Sequence, residues 1–180
     1  MIEHYIDLPP SYYNKDHWFD FAWFFNPIHH LHKVLNVGCG RGSSLLRYTK
    51  GCGVDFNPRL PLVWDALGIG DRCELADVSV GLPWASDEFD WTYSTDFLEH
   101  LQPDAVESAL HEILRVAPRG RHVIDTKKES GYRGPRGENL HPSANNEMFW
   151  MLAFKDAGAP RLNVTTRGAH LLVSYGDPLD

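Results

Sequence analysis

Cysteine is scarce in this chain. Cys39, Cys52 and Cys73 are the only three among 180 residues, and no two of them form a CxxC pair. An odd, widely spaced set cannot build a disulfide framework, so a reduced, cytoplasmic protein is expected. Long apolar runs are also missing. No stretch approaches the roughly 18 residues a spanning helix needs, and no membrane association is expected. The opening residues, Met1-Ile2-Glu3-His4-Tyr5, lack a basic region leading into an apolar one, so no secretory signal is expected. Positive charge is in deficit: 17 Lys and Arg face 24 Asp and Glu, for a net charge of −7. That balance disfavours a broad phosphate-binding surface, and no nucleic-acid partner is expected. Repeats, low-complexity tracts and dividing linkers are absent, which points to one domain over residues 1–180.

What is present is an ordinary globular composition, 43 % apolar and 23 % charged. The charge is unevenly placed. Eleven acids and one base fall between Asp71 and Glu112, and seven bases and three acids between Arg115 and Leu140. Solvated helix faces account for such blocks, and so does a basic segment lining a site for an anionic group.

Residues 1–31 are rich in aromatics and read as a helical cap, with a helix from Asn14 to Phe25 and Pro27 just beyond it. Residues 32–180 then alternate. Strands are expected at Lys33–Val37, Gly53–Phe56, Arg72–Ala76, Phe89–Ser94 and Arg121–Thr126. Helices are expected at Ser43–Thr49, Arg59–Leu67, Pro103–Val116 and Ala144–Ala157. Arg161–Arg167 and His170–Tyr175 form a closing hairpin around Gly168. The pattern predicts an α/β, Rossmann-like fold: a seven-stranded, mostly parallel sheet with helices on both faces and a C-terminal antiparallel hairpin strand. Such sheets bind ligands beyond the carboxyl ends of their strands, beside the first strand.

The first strand runs straight into Gly38-Cys39-Gly40-Arg41-Gly42. Three glycines let a ligand approach the backbone, although tight strand–helix turns use glycine for packing as well. The spacing is GxGxG. A dinucleotide fingerprint needs its third glycine at position 43, where Ser43 stands, which argues against NAD. Asp55 closes the second strand. A carboxylate there can accept from both hydroxyls of a ribose, or cap the Asn57-Pro58 turn. Phe56 suits an adenine face or the core. Asp77 follows the third strand; it suits an adenine amine, with the Val78 backbone at the ring edge, or caps its own turn.

Five segments in this order resemble a known family: VLNVGCGRG, GVDFNP, ELADVS, LPWASDEFDWTYSTDFLEHL and ALHEILRVAPRGRHVI. Together they look like a class I S-adenosylmethionine-dependent methyltransferase of the small type 11 group, over roughly residues 33–126. The resemblance implies S-adenosyl-L-methionine as cofactor and S-adenosyl-L-homocysteine as product. It also implies that Gly38, Cys39, Gly40 and Gly42 face the methionine part, with Asn36 at the position that usually anchors the cofactor's amino group, that Asp55 holds the ribose, and that Asp77 and Val78 meet the adenine. Ser94, Thr95 and Asp96 would lie at the methionine end near the methyl group. Asn36 stands where the family commonly has an acid, and Arg119 where a glycine is common.

Methyl transfer needs alignment, exclusion of water and, for a hydroxyl or protonated amine, a base. His141 is the candidate base, or else a loop cap; Asp96 is the candidate orienting acid, or else a helix cap. His100, in the same short helix as Glu99, is expected to pack. His29, His30 and His32 cluster before the first strand, but adjacent histidines on an extended chain point apart, and no metal site is expected. Tyr13 and Trp18 from the cap, with Lys127, Tyr132 and Arg133 from the basic loop, should roof an acceptor pocket. Aromatics with basic groups suit a small anionic or sugar-like acceptor methylated at oxygen or nitrogen. The alternatives are a non-catalytic S-adenosylmethionine-binding module and a different S-adenosylmethionine-consuming enzyme.

Overall fold

A computed structural model describes residues 24–26, 28, 32–42, 50–127, 133 and 137–177. The expected Asn14–Phe25 helix lies almost wholly outside them, and the Ser43–Thr49 helix entirely so. The strands are β1 (Lys33–Val37), β2 (Lys50–Asp55), β3 (Cys73–Leu75), β4 (Trp91–Thr95), β5 (Gly120–Asp125), β6 (Asn163–Arg167) and β7 (His170–Tyr175). The described α-helices are α1 (Pro61–Ala66), α2 (Val106–Val116) and α3 (Glu147–Asp156). The seven strands form one sheet in the order β3-β2-β1-β4-β5-β7-β6. β1 to β5 run parallel, and β7 is antiparallel to both β5 and β6. The order reverses between β1 and β4, so a crevice opens there at the strands' carboxyl ends.

Alternation along the strands decides the two faces. Val34, Trp91, Tyr93, Val123 and Leu172 pack with Phe24, Phe25 and Ile28 on one side. Leu35, Val37, Ile124, Leu171, Val173 and Tyr175 pack under α2 and α3 on the other. α2 presents Val106, Ala109, Leu110, Ile113 and Val116 at helical spacing to that core. Its first expected turn, Pro103–Ala105, is a 3₁₀ turn rather than α-helix. α3 begins at Glu147, later than Ala144, because the Asn146 side chain caps it by accepting from the Phe149 N–H. β4 begins at Trp91, where pairing with β1 starts. Phe89 instead packs against the Trp84 ring in the preceding loop.

One buried polar pair belongs to this frame rather than to the crevice. The Ser94 hydroxyl lies 2.8 Å from His122 Nδ1, and the imidazole stacks on Tyr175. Full burial pushes the His122 pKa down to about 3. Between that value and about 6.5 the unfolded chain binds a proton that the folded chain refuses, so stability falls with falling pH in this window. The expected slope is about 1.4 kcal/mol per pH unit. Urea melts from pH 4 to 7 should show it, and His122→Asn should flatten it. An unchanged slope in the variant would assign the effect elsewhere.

Candidate functional site

The glycine loop leaves β1 with Gly38, Gly40 and Gly42 all at positive φ, 70°, 52° and 75°. Only glycine takes such values without strain. The loop is anchored from behind. Gly38 and Cys39 donate to the Val54 carbonyl, Gly42 donates to the Cys39 carbonyl, and Trp64 Nε1 donates to the Gly40 carbonyl at 2.8 Å. Four loop amides, counting Gly40, are therefore used inside the protein. What Gly38, Gly40 and Gly42 offer a ligand is therefore close approach to backbone that carries no side chain. Cys39 turns into a small core with Leu60, Trp64, Ile69 and Cys73. Burial pushes its thiol well up.

Asp55 stands at the end of β2 against this loop. Its Oδ2 accepts from Gly40 N–H and its Oδ1 from Asn57 N–H, both at 3.0 Å. The Phe56 amide also acts on this carboxylate, so three backbone N–H groups orient it against the loop. Burial raises the Asp55 carboxyl despite these amide donors. A group held at such an electrostatic cost marks a candidate functional site. Phe56 beside it is half-buried.

Asp77 Oδ1 accepts from both the N–H and the hydroxyl of Ser79, closing its own turn. The turn-capping reading of Asp77 is the one these bonds show, and Oδ2 takes no part in them. Val78 is buried under the turn, and Asn36 is buried within β1. Ser94 is fully buried with its hydroxyl committed to His122, so the half-exposed tip of β4 is Thr95 and Asp96. Asp96 itself holds a positive φ of 49°. Phe97 then leans directly on the loop: a Cβ added to Gly38 would lie 2.2 Å from Phe97 Cδ2.

Beyond Phe97, a 3₁₀ turn (Leu98–His100) carries Glu99 and His100 beneath the segment that holds His141. Ser143 N–H donates to the Glu99 carbonyl and its hydroxyl to the Leu101 carbonyl, stitching the two segments together. The His100 and His141 rings meet edge to face at 4.5 Å. His141 is 4 % exposed, and its Nδ1 lies 3.9 Å from Asp125 Oδ2 at the tip of β5. His100 was expected only to pack. Glu99 and Asp125 were not singled out at all, because nothing local marks them: β4, β5 and the residue-140 segment meet only in the folded chain. Lys127 and Arg133 are exposed, the former with its N–H on Asp125 Oδ1. Tyr13, Trp18 and Tyr132 lie outside the described residues.

A seven-stranded sheet of this order, with a glycine loop, an acid after β2 and polar tips on β4 and β5, defines a Rossmann-like class I methyltransferase fold. The family model described as a methyltransferase domain matches residues 35–124, half of the chain, and the chain belongs to that family. No curated protein matches the sequence. Among solved structures, the PH0226 protein from Pyrococcus horikoshii is 17 % identical, with 97 % of this chain and 99 % of that one covered, at a TM-score of 0.69. The 1,6-didemethyltoxoflavin-N1-methyltransferase of Burkholderia thailandensis, solved with bound 1,6-didemethyltoxoflavin and S-adenosylhomocysteine, is 22 % identical; 89 % of this chain and 80 % of that one are covered at a TM-score of 0.60. The [4+2]-cyclase SpnF is 18 % identical, with 81 % of this chain covered at 0.60. The chain spans 57 % of SpnF's length and 60 % of that of PigF, solved with SAH. Among the described residues, no helix is long and apolar enough to cross a membrane.

Proposed function

We propose that this chain transfers the methyl group of S-adenosylmethionine to an oxygen or nitrogen of a small acceptor, in the cytoplasm. The observation that carries the reading is the carboxylate of Asp55. It is oriented by backbone N–H groups against a glycine-rich loop at the end of β2, where a carboxylate can accept from ribose hydroxyls. The donor set fits the cofactor along its whole length: the glycine loop and Thr95 for the methionine part, Asp55 for the ribose, Asp77 Oδ2 and the Val78 backbone for the adenine. When bound, the cofactor supplies an electrophilic methyl on a sulfonium whose leaving thioether is neutral. The chain's own task is to align the acceptor and exclude water. Asp96 and His141 stand on the acceptor side, where a hydroxyl or protonated amine loses its proton. Lys127 and Arg133, with Tyr13, Trp18 and Tyr132, would select a flat or sugar-like acceptor bearing an anionic group.

The test has two arms. Calorimetry with S-adenosylhomocysteine should show one site per chain, with Kd near the micromolar range, about −8 kcal/mol. Stabilisation by NAD and none by S-adenosylhomocysteine would overturn the reading. A screen with methyl-labelled donor against phenols, sugars and anionic acceptors should then transfer label. SpnF has this fold and is a [4+2]-cyclase, so acceptor conversion without label would assign different chemistry.

A further inference from the structure

Glu99, His100 and His141 each bring one ligand-type atom to a common point, the three lying within 4.8 Å of one another. One oxygen of Glu99, Oε1, accepts from the Asp125 N–H at 3.2 Å. The other, Oε2, is buried and has no hydrogen-bond partner among the described residues. An orphaned carboxylate oxygen in a fully buried side chain is costly unless a cation or a proton answers it. Two further acids crowd it, since the charges of Asp96 and Asp125 both act on Glu99. Among the described residues, no Lys or Arg forms an ion pair or hydrogen bond with Glu99. The neighbours able to face it with lone pairs are imidazoles.

We propose that Glu99, His100 and His141 bind a divalent first-row transition cation at the tip of β4, on the acceptor side of the crevice. Two imidazoles and a carboxylate are a donor set for zinc-, cobalt- or manganese-class ions, and three protein ligands leave positions open for water or substrate. Ligand bonds of about 2.0–2.2 Å put atoms on one ion at most roughly 4.3 Å apart, so the three converge with side-chain shifts of a few tenths of an ångström. The surroundings prepare the ligands. His100 Nδ1 faces the Leu140 carbonyl at 2.5 Å, which places its proton there and the lone pair on Nε2. Asp125 lies beside His141 Nδ1. The backbone of His141 is tied to Asn139 in both directions, by its N–H to Oδ1 and its carbonyl to Nδ2.

This inference deepens the proposed function and rests on it for its purpose, though not for its test. An ion beside Asp96 and Phe97 stands next to the glycine loop and would select an oxygen acceptor, a phenol or a hydroxy acid. The hydroxyl proton is lost to solvent, the methyl carbon passes from sulfur to that oxygen, and the broken bond's electron pair stays on sulfur. His141 then acts as a ligand and not as a free base.

The experiment is titration of the metal-free full chain with Co²⁺, read by visible absorption, and with Zn²⁺, read by calorimetry. One equivalent should bind, with d–d bands of a nitrogen-ligated site. Glu99→Gln and His141→Ala should each weaken binding by about 100-fold or more. His100→Gln, at the half-buried edge, serves if a variant at the buried positions fails to fold. Absence of stoichiometric binding to the wild-type chain, or binding indifferent to these substitutions, overturns the site and assigns Glu99 as a protonated core acid. Titration with S-adenosylhomocysteine in the same samples separates the two ideas. Homocysteine-compound binding without metal binding sinks only the cation site; metal binding without it sinks only the cofactor reading.

Discussion

Asp55→Ala should lower the affinity for S-adenosylhomocysteine by at least about 100-fold. The carboxylate would lose two charge-assisted hydrogen bonds to ribose hydroxyls, each worth roughly 1.5–3 kcal/mol. It would also release the Gly40 N–H, so the loop itself loosens. Asp55→Asn separates the two contributions. The amide keeps one oxygen acceptor for the backbone or the ribose but not both, and an intermediate affinity is expected. Calorimetry on chains whose melting temperatures are first compared gives the answer. Equal affinity in wild type and Asp55→Ala would falsify the ribose assignment and, with it, the placement of the cofactor.

The second large effect is expected at Gly38. An alanine there meets two independent obstacles. Its φ of 70° costs an L-residue roughly 1–2 kcal/mol. The new Cβ would also lie 2.2 Å from Phe97 Cδ2 and 2.9 Å from Phe97 Cβ, too close to the backbone for a ring rotation to relieve. Overpacking of this kind costs roughly 1–3 kcal/mol more. Gly38→Ala should therefore be destabilised by about 3 kcal/mol, a drop of about 10 °C in Tm for a chain of this size. Cofactor affinity should fall as well, because the loop's open surface is filled. Phe97→Ala in the Gly38→Ala background should relieve the ring clash at Cδ2 and Cγ and leave the Cβ contact and the backbone part. A thermal-melt double-mutant cycle with no coupling between the two positions would contradict the contact.

The two residues differ in how openly the chain announces them. Asp55 is legible because local sequence suffices: a strand pattern, its last residue and a turn at Asn57-Pro58 place a carboxylate at a known end of the sheet. The glycine loop is legible for the same reason, and the five ordered segments carried the fold family. Element ends shifted where a cap or a pairing partner intervened, as at Asn146 and Trp91. The loop's own hydrogen bonding was not legible, since its amides turn to Val54 and Asp55 across the sheet, which no linear pattern displays.

Glu99 and His100 show the opposite case. Read along the chain, they are two residues of a short helix, and His141 is a loop histidine forty-one positions later. Strand alternation, glycine spacing and the terminal acids needed only neighbours within a few residues, so period and spacing alone placed the strands, the glycine loop and the carboxylate that closes β2. The orphaned Glu99 oxygen, the paired imidazoles and the burial of Ser94 against His122 were decided by the tertiary structure. Each depends on which strand tips and loops come to lie side by side once the sheet has closed, and on how much water is then left to answer their charge.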